Sequence, residues 1–164
     1  MDGHYLYNLF HVGNMLNIIF VCTGNICRSP MAEGFLRYKW QQMRRDDLIV
    51  SSMGIHGLTD SPATEYARAV CKKNGFDISS HRARSLVGEE LMSADLILCM
   101  EPAHKKFIHV FFPQLQNRVA LLGAWPDKAT RKSSIEDPMG SSYKKYQKIF
   151  AIIKEHIERI IPLL

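Results

Sequence analysis

The chain has 164 residues, 46% of them apolar and 23% charged, which suits one globular α/β domain and excludes a disordered chain. It contains no run of about 18 apolar residues, so a membrane span is excluded, and its four cysteines at 22, 27, 71 and 99 lack the density of a secreted disulfide scaffold. The formal charge of +5 is spread over short pairs such as Arg44-Arg45 and Lys105-Lys106, with no accompanying binding motif, so no nucleic-acid partner is expected.

Residues Met1 to Asn14 lack the basic start and small-residue cleavage site of a signal peptide. Met15 is a candidate natural start. Residues 1–14 are therefore read as an extension of unknown role, residues 15–164 as a single domain, and the protein as cytoplasmic.

The first apolar run, Ile18-Ile19-Phe20-Val21, ends at Cys22 and is followed by Thr-Gly-Asn, which predicts a buried parallel strand leaving its sheet. Ser29-Pro30 then opens a helix, with Ala32, Phe35, Leu36, Trp40 and Met43 at helical spacing. Leu48 to Val50 predicts a second strand, broken by Gly54 and Gly57. Pro62 opens a helical stretch through Cys71 that stops at Asn74-Gly75.

Asp95 to Met100 (DLILCM) predicts a third buried strand, and Pro102 starts the helix after it. Arg118 to Leu122 (RVALL) is a fourth strand candidate. Trp125 to Asp137 is a polar loop closed by Asp137-Pro138. In the last helix Tyr146, Ile149, Phe150, Ile153, Ile157, Ile160 and Ile161 share one face, as a core stripe or, alternatively, a membrane-surface face. Strands alternating with helices imply a mainly parallel sheet covered on both faces, with ligands at the carboxyl ends of strands, where Cys22 falls.

The run Cys22-Thr-Gly-Asn-Ile-Cys-Arg28-Ser29 puts a thiol at a strand end, an arginine six residues on and a helix start beside it. Loop N–H groups and a helix N-terminus make an anion cradle, with Gly24 expected to allow close approach or positive φ. Arg28 offers a planar fork to two phosphate oxygens. A positive cradle of this kind favours a thiolate over a thiol, which makes Cys22 the candidate nucleophile and Ser29 a donor to its sulfur. A leaving oxygen also needs an acid. Asp137 is the candidate, with Glu136 its neighbouring alternative. Inert packing of Cys22 and a simple Asp-Pro turn are the competing accounts.

VCTGNICRSPMAEG at the front and IEDP near the back closely resemble the low-molecular-weight protein tyrosine phosphatases. Ser52 with Gly54, the segment from Gly75 to Arg84 that includes His81, and the segment from Ala94 to Met100 follow in the family's order. The resemblance implies a three-layer α/β fold, with a four-stranded parallel sheet of order 2-1-3-4 and helices on both faces. It also implies a cysteinyl-phosphate mechanism with neither metal nor cofactor, in which Cys22 is the nucleophile, Arg28 the phosphate clamp, and Asp137 the acid and then the base.

By the same resemblance, Thr23, Gly24, Asn25, Ile26, Cys27 and Arg28 surround the substrate, with Leu58 and Met139 where relatives often have an aromatic wall. Asn25, Ser29, Ser52 and His81 match a network that holds the loop, and Cys27 a second cysteine able to form a reversible disulfide with the nucleophile. Ile26 resembles tyrosine phosphatases, whereas phosphoarginine phosphatases of this fold carry threonine there. The implied partners are a phosphotyrosine-bearing protein or small aryl phosphate, with phosphate or sulfate also fitting the loop, and no nucleic acid or membrane; a monomer is expected.

The runner-up is a thiol-dependent arsenate reductase of the same fold, since Cys99 lies near that enzyme's second cysteine. Against it, residues 100 to 108 (MEPAHKKFI) lack a third cysteine, and Asp137-Pro138 matches the phosphatase pattern. A non-enzymatic phosphate-binding module is a further alternative.

Overall fold

Alternation along the central strand divides the core in two. In the computed structural model, which describes residues 15–164, β1 (Leu16–Cys22) directs Ile18, Phe20 and Cys22 into one hydrophobic cluster and Ile19 and Val21 into another. Both faces are therefore apolar, which is why the strand reads as an unbroken hydrophobic run. The expected extension, residues 1–14, lies outside the described residues.

β1 is flanked by β2 (Leu48–Gly54) and β3 (Leu96–Cys99), and β4 (Val119–Leu121) closes the far edge, giving a parallel sheet of order β2-β1-β3-β4. On one face lie α1 (Arg28–Gln42), α2 (Glu65–Lys73) and α5 (Tyr143–Ile160), which contribute Phe35, Leu36, Val70, Ile149 and Ile153 to the first cluster. The other face is covered by α3 (Gly88–Ser93), α4 (Pro102–Phe111) and a 3-10 turn at Pro113–Arg118, through Leu91, Ile108 and Leu115. The arrangement is the expected three-layer α/β fold.

The stripe on α5 is core: Tyr146, Ile149, Phe150, Ile153, Ile157 and Ile160 are all buried against the sheet side, which removes the membrane-surface alternative. Ile161 falls just beyond the helix, in a 3-10 turn. Ser142 starts α5 by accepting the Lys145 N–H on its side chain, satisfying a donor the helix cannot.

Several boundaries differ from the expected ones. β2 does not stop at Val50 but runs to Gly54, because Ser51 to Gly54 pair with Ile19 to Cys22. The apolar run ends at Val50, and the strand partners of the serines that follow lie far away in sequence. α2 begins at Glu65, capped by Thr64, not at Pro62. α1 starts at Arg28, and Met43 is its exposed C-cap residue. β3 and β4 are shorter than the apolar runs that suggested them, and the six-residue α3 was not expected. Among the described residues, no helix is long and apolar enough to cross a membrane.

Candidate active site

The loop between β1 and α1 sits at the carboxyl edge of the sheet and is held by its carbonyl groups. Cys22, Thr23 and Gly24 accept the N–H groups of Ile55, His56 and Leu58 at 3.0, 2.9 and 3.1 Å, and Ile26 accepts that of Thr64 at 2.8 Å. Asn25 O is 2.7 Å from His81 Nε2; a carbonyl only accepts, so Nε2 carries the proton. With the carbonyls tied outward, the loop N–H groups are left for the bowl, and α1 adds its first-turn N–H groups, a turn that contains no acidic residue of its own. Such an arrangement favours an anion.

The left-handed position is Asn25, with φ of 57°, rather than Gly24. A Cβ on Gly24 would meet only ordinary contacts, the nearest 3.5 Å away at Ile26, so neither expected reason for glycine operates there within the chain. The tight glycines beside the loop are Gly57, where a Cβ would lie 2.1 Å from the Arg84 carbonyl oxygen, and Gly54, where it would lie 2.5 Å from that of Thr23.

Asn25 organises what lies behind the nucleophile. Its Oδ1 accepts the Arg84 N–H at 3.0 Å, which orients the amide, and Nδ2 then donates to Ser29 Oγ at 2.9 Å and to Ser52 Oγ at 2.8 Å. Ser52 passes its own proton to Glu33 Oε2 at 2.6 Å. Since Ser29 Oγ accepts from Asn25, its proton is free for Cys22 Sγ, 2.9 Å away. Asn25, Ser29 and Ser52 are all buried, and each finds its partner here, as buried polar groups must.

Arg28 closes the bowl. It is 1% exposed and is held by two carboxylates and a carbonyl: Nη1 donates to Glu101 Oε2 at 2.8 Å and Ile135 O at 2.9 Å, and Nη2 donates to Asp137 Oδ2 at 2.6 Å. Its Nε is buried with no partner among the described residues. A buried guanidinium requires such compensation, and the orphaned N–H marks the edge on which a further acceptor fits.

The segment carrying Asp137 is fastened by Ile135, whose N–H donates to Met100 O at 2.8 Å. Asp137 Oδ1 accepts the Met139 N–H at 3.0 Å, leaving Oδ2 for the arginine. Glu136 is turned away and pairs with Lys145, which holds its carboxyl below the usual range. Of the two acids weighed from the sequence, Asp137 alone faces the cleft.

The cleft has a volume of about 280 Å³ and is lined by Cys22, Thr23, Gly24, Ile26, Cys27, Arg28, His56, Leu58, Asp137 and Met139. Leu58 and Met139 are half exposed at its rim. Asn25, Ser29, Ser52 and His81 stand behind the loop rather than in the cleft. Sequence reasoning missed His56, Glu33, Glu101 and His104. The last two follow β3, the strand beside β1, and that adjacency was the available signal.

All four cysteines are free thiols. Cys27 Sγ lies 3.2 Å from Tyr146 Oη and 3.5 Å from Thr64 Oγ1, and burial raises its pKa. Cys71 and Cys99 are buried in the core, and burial pushes both thiols far up. Cys99 belongs to the cluster on the face opposite Cys22. Among the described residues, no group of three or more His, Cys, Asp or Glu side chains is arranged to hold a metal ion.

Residues 17–163 match the family model described as low molecular weight phosphotyrosine protein phosphatase. The low molecular weight protein-tyrosine-phosphatase Ptp of Acinetobacter johnsonii is 39% identical over 122 residues, covering 74% of this chain and 79% of its own. The crystal structure of a low molecular weight protein tyrosine phosphatase from T. tengcongensis superposes with a TM-score of 0.84 at 35% identity, covering 91% of this chain and 99% of its own. The tyrosine phosphatase Wzb from Escherichia coli K30, solved with sulphate, gives 0.76 at 30% identity over 88% and 95%. The YwlE arginine phosphatase of Geobacillus stearothermophilus gives 0.78 at 30% identity over 88% and 90%.

Proposed function

The chain belongs to the low-molecular-weight phosphotyrosine protein phosphatase family, and on that premise we propose that it hydrolyses phosphotyrosine through a phosphocysteine at Cys22. The observation that carries the reading is the proton routing behind the nucleophile, where Asn25 occupies the Ser29 oxygen and leaves the Ser29 hydroxyl proton for the sulfur 2.9 Å away. A sulfur served in this way is stabilised as an anion, both as nucleophile and as leaving group.

In the first step the Cys22 thiolate attacks phosphorus in line, the P–O bond to the tyrosyl oxygen breaks, and Asp137 gives its proton to that oxygen. In the second, Asp137 as carboxylate takes a proton from water, the hydroxide so formed attacks phosphorus, and the S–P bond breaks to return the thiolate with inorganic phosphate. Thr23 to Arg28 receive the equatorial oxygens through backbone N–H groups and the arginine fork, which stabilises the charge of the transition state. The sulphate complex of the Escherichia coli K30 relative supports a tetrahedral oxyanion in this bowl. Neither chemical step requires a metal or cofactor.

Phosphotyrosine is favoured over phosphoarginine by the lining. Ile26, Leu58 and Met139 offer apolar surface to a ring, and Met139 adds sulfur–aromatic contact, whereas a guanidinium would find one carboxylate, Asp137. The similarity to an arginine phosphatase therefore bears on scaffold, not on substrate. An arsenate reductase reading loses its second thiol, because Cys99 is fully buried on the opposite face.

The test is hydrolysis of phosphotyrosine, phosphoserine and phosphoarginine, alongside thiol-coupled arsenate turnover, with Cys22→Ser as control. Phosphotyrosine is expected to lead with no activity left in the variant; a lead for phosphoarginine or arsenate overturns the substrate assignment.

A further inference from the structure

Behind the loop, Glu101 and His104 form a bracket that takes no part in either bond-making step. Glu101 caps α4, accepting the His104 backbone N–H on its side chain, while the Glu101 N–H donates to His104 Nδ1 at 3.2 Å. An imidazole nitrogen that accepts carries no proton, so the ring is neutral with its proton on Nε2. That nitrogen lies 2.9 Å from Thr23 Oγ1 and 3.3 Å from Glu101 Oε2. Burial and the nearby Arg28 charge hold the same ring neutral. One side chain, 4% exposed, thereby joins the first loop residue after the nucleophile to the carboxylate that grips Arg28.

The two carboxylates on Arg28 have different consequences. Asp137 occupies Nη2, next to the orphaned Nε, on the edge where an oxyanion would bind through two parallel N–H donors. Glu101 and the Ile135 carbonyl occupy Nη1, the end that remains tied when the other is exchanged. Bidentate capture fails if this end swivels, because a small misplacement of a clamp is costly in rate.

We propose that His104 is a positioning residue for phosphoryl transfer, fixing Thr23 and Glu101 together so that the Nε and Nη2 edge of Arg28 faces the loop. The inference rests on the role given to Arg28 in the proposed function. It assigns Thr23 Oγ1 as an acceptor from His104, which leaves the Thr23 hydroxyl proton for the cleft.

The experiment measures kcat/KM for an aryl phosphate and the inhibition constant of inorganic phosphate in His104→Leu, His104→Gln, Thr23→Val and His104→Leu/Thr23→Val, with melting temperatures for each. His104→Leu is expected to lose about 10-fold to 100-fold in kcat/KM and to raise the phosphate inhibition constant in parallel. Gln, whose amide N–H can reach Thr23, recovers part of both, and the double variant is no worse than the worse single one. Thr23→Val, at an exposed position, weakens phosphate binding in the same direction and remains informative if His104→Leu does not fold. A lowered melting temperature with an unchanged phosphate inhibition constant, or wild-type kinetics in Thr23→Val, overturns the proposal. Failure of the catalytic reading itself is separate, because it appears as hydrolysis surviving Cys22→Ser.

Discussion

Asp137 Oδ2 lies 2.6 Å from Arg28 Nη2, so the acid and the clamp occupy one another. A phosphoryl group can take that edge of the arginine only when the carboxylate gives it up, and the displaced carboxyl is then beside the scissile bond, where a leaving oxygen needs it.

Asp137→Asn is expected to lower kcat by about 10²-fold to 10⁴-fold, the range for loss of a general acid. The loss is smallest for a good leaving group such as p-nitrophenol and largest for an unactivated phenol. Phosphate inhibition is retained or strengthened, since the charged competitor for Arg28 is gone. Equal losses across a leaving-group series would reassign the acid.

Asn25 combines a left-handed φ of 57° with a full set of buried hydrogen bonds. Replacing it by Ala imposes backbone strain of about 1–2 kcal/mol and strands the partners of its amide, at about 1–3 kcal/mol each where they stay buried. Asn25→Gly relieves the strain alone. Melting temperature should recover partly in Gly relative to Ala while kcat stays low in both; recovery of kcat in Gly would show that the network is dispensable.

His104 has its pKa lowered to about 4, by burial first and the Arg28 charge second, against opposing contributions from Glu101 and Asp137. Its ordinary value is about 6.5. The unfolded chain therefore binds a proton that the native protein refuses between those values. Stability is complete above about pH 6.5 and falls as pH drops towards 4, by at most about 3 kcal/mol for this group. Urea unfolding from pH 7 to pH 4 should show a shallower decline for His104→Gln than for wild type; parallel curves would contradict the burial argument.

Cys27 shares the cleft with Cys22, while Cys71 and Cys99 are sealed in the core. With hydrogen peroxide as oxidant, the Cys22 thiolate becomes a sulfenic acid with release of water. Attack by Cys27 on that sulfur then gives a disulfide and a second water. Peptide mapping should find a 22–27 disulfide, reversed by dithiothreitol with return of activity; a stable Cys22 sulfinic acid without the disulfide would contradict it.

The parts of the site that lie together in sequence were legible there. The apolar run, the loop and the Ser-Pro helix start are contiguous, and Asp137-Pro138 announces itself by its own backbone chemistry. Asn25 was harder to read, because Gly24 beside it is the usual left-handed residue, and only the amide's three partners explain the exchange. Glu101 reaches Arg28 across 73 positions and His104 reaches Thr23 across 81. Those pairings exist only once β3 lies beside β1, which no local pattern encodes. β2 beyond Val50 was obscured for a related reason, since Ser52 is polar in order to serve Asn25 and Glu33.

The most direct test is to acid-quench the enzyme during the burst phase with p-nitrophenyl phosphate and locate the phosphoryl group by peptide mass mapping. The account predicts one phosphoryl group on the peptide bearing Cys22, bound through sulfur, and no sulfur-bound phosphoryl group in Cys22→Ser. A burst of p-nitrophenol with the phosphoryl group on another residue, or with Cys22 unmodified, would contradict it.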